Sequence, residues 1–249
     1  ISLAMRSYKN VKVGLDCANG SSWNIAKSIF EALGAKTYVI NASPDGTNIN
    51  TNCGSTHIEA LAKCVVENGL DAGVAFDGDA DRCLCVDENG KLVDGDMIMA
   101  ICAVDLKNRG KLNRNTVVGT VMTNFGFGKF CEENDLSFVS TKVGDRFVLE
   151  KMLLEEYDFG GEQSGHIIFR DFATTGDGQL TAVQLLAHLK RSGEKLSKLA
   201  SVMKKYPQIM INLKITAEGK LHFYTNREVK EAIENGKHKL GKTGRVVVR

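Results

Sequence analysis

Asp77, Asp79 and Asp81 occupy alternate positions in "AFDGDADRCLCVDENG", Ala75 to Gly90. Carboxylates this close raise one another's pKa and cost stability unless something neutralises them. Hard anionic oxygens at such spacing suit Mg²⁺ or Ca²⁺ and suit zinc or copper poorly. The competing reading is a solvated acidic turn. An EF-hand is excluded: counting from Asp77 the twelfth residue is Glu88, but the sixth is Arg82 where that loop requires glycine, and both flanks are strand-like.

Arg82 sharpens the chemistry. A cation beside a cation site opposes it, unless both are aimed at a dianion such as a phosphoryl group. Otherwise Arg82 simply pairs with a neighbouring aspartate. Phosphoryl transfer is the leading reaction class, and a phosphatase that phosphorylates Asp77 is its alternative.

A second polar constellation lies in "GGEQSGH", Gly160 to His166. Glu162, Gln163, Ser164 and His166 are equipment for orienting sugar hydroxyls. The plainer alternative is a polar turn, with His166 entering the strand "HIIF". Glu162 and His166 stand where a nucleophile elbow would need glycines around Ser164. "TKVGDRF" adds Lys142 and Arg146 as anion contacts or as ordinary surface bases, and Asp177 in "TTGDG" reads as a helix cap.

Both constellations need strand ends to hold them, and the chain supplies the same pattern twice. "VKVGLDCANG" is a strand breaking into a glycine loop; a helix follows, with Trp23, Ile25, Ala26, Ile29, Phe30 and Leu33 at helical spacing, Gly34 as its stop, and a strand over 37–40. "TVVGTVMTNFGFG" repeats strand and glycine loop, with "KFCEENDL" as helix and "SFVSTKV" as strand. Each βαβ unit is followed by a helix, an apolar strand and an acidic loop, which places both loops at the carboxyl ends of strands. The fold class is therefore α/β, with two similar three-layer domains of mixed, mainly parallel sheets and the beginning of a further α+β domain.

The expected domains are residues 1–93, carrying the metal loop, 94–207, carrying the sugar loop, and 208–249, an incomplete unit. Asp94 or Asp96 caps the apolar helix at the first boundary, and Pro207 ends helix at the second, before a strand. Thr225 and Glu228 are spaced as a capping box for a last helix that stops at Gly236, and "GRVVVR" is strand-like.

Composition narrows the partners. The 249 residues are 43% hydrophobic and 25% charged with a net charge of +2, so no basic footprint calls for nucleic acid. No run has the apolar length of a membrane span and no leader opens the chain. Seven cysteines without a C-x-x-C pair read as buried free thiols, which points to the cytoplasm. Nothing in the sequence encodes an oligomeric state.

"DGDADR" followed by "GEQSGH", with "TKVGDR" between and "TTGDGQLTA" after, resembles the α-D-phosphohexomutase family over nearly the whole chain. Gln163 makes it most similar to the members acting on glucosamine phosphate. The resemblance implies a four-domain isomerase that interconverts glucosamine 6-phosphate and glucosamine 1-phosphate through a sugar bisphosphate, or else the mannose or glucose phosphates. A phosphoserine on the first domain would give and retake the phosphoryl group, with Mg²⁺ bridging it to the second. By that resemblance Asp77, Asp79 and Asp81 hold the metal, Arg82 steadies the phosphoserine, and His166 assists proton transfer or positioning. Glu162 and Ser164 hold sugar hydroxyls, while Lys142 and Gly144 belong to a substrate-facing loop. Nothing matches the family's serine loop, Thr-Ala-Ser-His-Asn-Pro, and the chain ends where its phosphate loop, Arg-x-Ser-Gly-Thr, should begin. The expectation is a second and third domain with the opening of the fourth, which binds metal without turning over. Its partners are then the sugar phosphate and the missing N- and C-terminal domains.

Overall fold

Parallel pairing of neighbouring strands requires a crossover, and the first half of the chain supplies two. β1 (Lys12–Asp16) runs through α1 (Ala26–Ala32) into β2 (Lys36–Ile40), and then through α2 (Glu59–Asn68) into β3 (Ala72–Phe76). Leu15 of β1 lies opposite Val39 on one side and Val74 on the other, both in parallel register. β4 (Cys83–Asp87) and β5 (Leu92–Val93) then fold back antiparallel, giving the order β2-β1-β3-β4-β5. Phe76 faces Cys83 across the β3–β4 hairpin, so residues 77–82 form its tip, at the carboxyl end of β3. The structure is a computed structural model that describes residues 8–248.

The second half repeats the plan. After α3 (Gly95–Asn108), β6 (Thr116–Thr120) leads through α4 (Phe125–Glu133) to β7 (Ser137–Thr141), and through α5 (Asp145–Leu154) to β8 (Phe159–Gly161). β9 (Ile167–Phe169) returns antiparallel, and the order is β7-β6-β8-β9. α6 (Gly178–Ser192) and α7 (Leu196–Ala200) follow. The expected class, α/β with mixed, mainly parallel sheets, is the one observed.

α3 explains why the two sheets form one compact unit reaching to Lys204. Ile98, Met99 and Ile101 are fully buried in a core that also takes Val13, Phe76 and Cys85 from the first sheet and Val117, Phe159 and Ile167 from the second. Burying each such side chain stabilises by about 2 kcal/mol. Asp94, not Asp96, is the cap of α3 and accepts from the Met97 backbone N–H.

Local details depart from the sequence pattern. Ser21–Asn24 is a 3₁₀ turn, so Trp23 and Ile25 stand half-exposed, and the helix buries Ala26 and Phe30 instead. α4 starts inside the glycine run rather than after it, because the Asn124 side chain caps it by accepting from Gly126 N–H.

The second unit, from Lys205, contains α8 (Ala217–Thr225) and α9 (Arg227–Leu240). Asn226 caps α9, Thr225 ends α8, and α9 continues through Gly236. The capping box at Thr225 and the stop at Gly236 are thus corrected: the asparagine carbonyl reaches Val229 N–H directly. The strand expected after Pro207 and that of "GRVVVR" do not pair among the described residues; Arg249 lies outside them. An alternating run becomes a strand only with a partner, and Ile209, Ile211 and Leu213 remain exposed. No helix among the described residues is long and apolar enough to cross a membrane.

Candidate metal and sugar-phosphate site

The hairpin tip brings carboxylate oxygens of Asp77, Asp79 and Asp81 within 4.8 Å of one another. Asp77 is buried, Asp81 half-buried and Asp79 exposed. Ala80 adopts φ +61°, the left-handed turn that folds the tip back on itself. Burial, together with the charges of Asp81 and Asp79, pushes the Asp77 carboxyl up to about 6.

Arg82 offsets part of this charge. Its Nε lies 3.4 Å from Asp77 Oδ2 and 3.7 Å from Asp81 Oδ1, and its backbone N–H donates to Asp77 Oδ1 at 3.1 Å. Its side chain is 46% exposed, so the guanidinium also has an open face. Asp81 Oδ1 is buried and accepts no hydrogen bond among the described residues. An all-oxygen donor set, an acceptor without a donor and a carboxyl with a raised pKa fit a hard divalent cation.

The loop of residues 161–166 is stapled to the acidic loop of residues 77–82 by backbone. Arg82 and His166 form an antiparallel bridge, and Cys83 N–H donates to Gly165 O at 3.1 Å. Gly165 permits this contact: its φ is +93°, and a Cβ there would sit 2.3 Å from the Cys83 carbonyl oxygen. The side chains add to it, with His166 Nδ1 3.0 Å from Asp81 Oδ2. Thus the two acidic loops, one from each sheet, meet at the carboxyl ends of β3 and β8.

Glu162 sits at the end of β8, and its Oε1 accepts from Gly144 N–H at 3.0 Å, at the start of α5. Ser164 is exposed beside it. Lys142 follows β7, and its ammonium lies 5.7 Å from the centre of the Phe147 ring, while Arg146 pairs with Glu150 along α5. Gln163 also turns away from open space. Its Nε2 donates to Asp96 Oδ2 at 2.9 Å, and its carbonyl accepts from Gly95 N–H. Asp177 caps α6 through Leu180 N–H, as its spacing predicts.

Three residues at the site escape the sequence pattern. Asp96 Oδ2 accepts both Gln163 Nε2 and the backbone N–H of Asn124, so it ties the sugar loop to α4. Asp145 Oδ2 stands 3.9 Å from His166 Nε2. Gly176 donates its N–H to that same nitrogen at 3.0 Å. "TTGDG" and "VGDR" contain them, but only the fold shows which ring atom they meet.

Two sheets built on βαβ units, which bring an acidic triad and a polar, glycine-flanked loop together at strand ends, define an α/β protein. The chain belongs to the phosphoglucomutase/phosphomannomutase family: residues 2–90 match the model of its alpha/beta/alpha domain II and residues 94–206 that of domain III. It is 50% identical over all 249 residues to the phosphoglucosamine mutase of Lachnoclostridium phytofermentans, covering 55% of that protein. It is 52% identical over 241 residues, 97% of the chain, to that of Clostridium tetani, covering 54% of that protein. The chain thus spans about half the length of the curated relatives it matches. A phosphoglucomutase/phosphomannomutase family protein of Burkholderia thailandensis shares the fold, with TM-score 0.72 and 22% identity over 80% of this chain and 44% of that one. So does the Aspergillus fumigatus N-acetylphosphoglucosamine mutase solved with GlcNAc-6P and magnesium, with TM-score 0.66 and 20% identity over 83% of this chain and 48% of that one.

Proposed function

We propose that this chain supplies the metal-binding and sugar-binding parts of a phosphoglucosamine mutase, which interconverts glucosamine 6-phosphate and glucosamine 1-phosphate. The observation that carries the proposal is the joining of "DGDADR" to "GEQSGH" through the Arg82–His166 bridge, in a chain half identical to phosphoglucosamine mutases. The phosphoserine that exchanges the phosphoryl group belongs to the length of protein beyond this chain, as does the loop that grips the substrate phosphate. We place the enzyme in the cytoplasm, where the seven free cysteines stay reduced.

Asp77, Asp79 and Asp81 hold Mg²⁺, which when bound draws charge from the transferring phosphoryl group. Arg82 spends its Nε on Asp77 and Asp81 and turns its open face to the phosphoryl oxygens of the phosphoserine. Glu162, steadied by Gly144 N–H, accepts hydrogen bonds from sugar hydroxyls, and Ser164 adds a neutral partner. Lys142, at the edge of the loop over β7, leaves Phe147 to meet the anionic substrate. With Gln163 committed to Asp96, preference for the amino sugar comes from the loop shape that Gln163 fixes rather than from direct contact.

The test is the turnover of glucosamine, glucose and mannose 6-phosphates by a polypeptide in which this chain is completed to the length of its relatives. Glucosamine 6-phosphate should have the highest kcat/KM, by about tenfold or more. A clear preference for mannose 6-phosphate would replace the substrate assignment, and an aspartyl phosphate trapped on Asp77 would replace the mechanism.

A further inference from the structure

His166 has both ring nitrogens engaged. The Gly176 backbone N–H points at Nε2 from 3.0 Å, and a backbone N–H can only donate. Nε2 therefore carries no proton, and an imidazolium, with protons on both nitrogens, is excluded by the same contact. The single ring proton must sit on Nδ1, where it donates to Asp81 Oδ2 at 3.0 Å. That leaves Asp81 Oδ1 buried and without a hydrogen bond among the described residues, 3.7 Å from Arg82 Nε, in a residue whose carboxylate belongs to the triad. Gly176 is fitted to the ring: a Cβ there would lie 2.5 to 2.6 Å from Nε2, Cδ2 and Cε1. Asp145 Oδ2, at 3.9 Å, is too far to compete for Nε2.

We propose that His166 is a positioning residue, locked by Gly176 in the neutral tautomer protonated at Nδ1, which turns Asp81 so that its other oxygen meets the cation. This rests on the reading of the acidic triad as a cation site. It separates the two roles left open for His166: a ring held at both nitrogens aims a metal ligand and does not shuttle a proton. Outer-shell hydrogen bonds of this kind fix the orientation of ligand carboxylates. Gly176 acquires a role through it, since another residue there would push the ring away from Asp81.

Nitrogen-15 NMR of the histidine ring in the metal-free protein tests the lock without any cation. The expected spectrum shows a protonated Nδ1 and a bare Nε2 for His166; the reverse pattern, or averaging of the two, overturns the proposal. Calorimetric magnesium titration then tests the consequence. His166→Asn keeps an N–H near the place of Nδ1 and should bind within about threefold of the parent, whereas His166→Gln, His166→Ala and Gly176→Ala should bind about 10- to 100-fold more weakly. Equal affinity in all four variants overturns the positioning role. If Gly176→Ala loses its cooperative melt, the contrast between Asn and Gln at 166 decides alone. A parent protein that binds no magnesium defeats the cation reading, and the role of Asp81 with it, while the tautomer still stands or falls on its spectrum.

Discussion

Asp77 carries the electrostatic cost of the acidic loop, and this gives the site a pH signature. Its folded carboxyl is pushed up to about 6 by burial and by its two neighbours, above the unfolded value of 3.8. The folded protein without metal therefore holds a proton that the unfolded chain releases. The stability this contributes is fully present below about 4 and is lost as pH rises through about 6. Thermal melts of the metal-free protein should show that loss over this window. Magnesium should reverse it above pH 6 and bind progressively more weakly below, where it must displace the proton; Asp77→Asn should abolish the slope. The triad was legible because alternating carboxylates are a chemical anomaly within five residues of sequence. Asp96, Asp145 and Gly176 were not, since each acts on a partner brought near only by the fold, and Asp96 looked like one of two equal candidates for a helix cap. Nor did the sequence show that the Lys142 ammonium lies 5.7 Å from the centre of the Phe147 ring, since that contact spans the turn into α5.

At the scale of elements, α3 and α6 are joined by a buried charge cluster that no local pattern announces. Asp105 on α3 accepts from His188 at 2.9 Å, from Arg109 at 3.0 Å and from Arg191 on α6. Burial alone would raise its pKa, but these three donors outweigh it and hold the carboxyl well below the usual carboxylate range. The stability it contributes is present above the ordinary carboxylate pKa and is lost as pH falls through the lower folded value. Asp105→Ala, which leaves Arg191 and His188 half-buried without their acceptor, should cost about 3 kcal/mol in urea denaturation at neutral pH. In Asp105→Asn the acid-side slope due to this carboxylate should vanish; an unchanged slope would assign acid loss to other groups. Period-2 and period-3.6 patterns located the strands and helices of both βαβ repeats, because most bury one face, but gave no sign of β5, α7 or α8. They misplaced the starts of α4 and α9, where capping by Asn124 and Asn226 decided the boundary, and they stopped α9 at Gly236, through which it runs on to Leu240. They also gave strands to runs whose pairing partners are absent among the described residues, since alternation reports a face to bury and not the presence of a neighbour.

For the whole molecule, two sheets share one core, and the shared core is what lets the three-carboxylate loop of one and the polar 161–166 loop of the other be stapled rather than merely close. The repeat of strand, helix and loop made this arrangement readable in outline, while the contact through Arg82 and His166 needed both sheets in place. In the proposed function the acidic triad holds the cation on which glucosamine phosphate interconversion depends. Phosphorus-31 NMR of glucosamine 6-phosphate with the completed polypeptide tests it most directly. Conversion to glucosamine 1-phosphate should stop on chelation, return with magnesium, and fall by about 100-fold or more in Asp79→Asn, whose exposed side chain makes a folding defect a poor explanation. Conversion that persists through chelation, or that Asp79→Asn leaves intact, would contradict it.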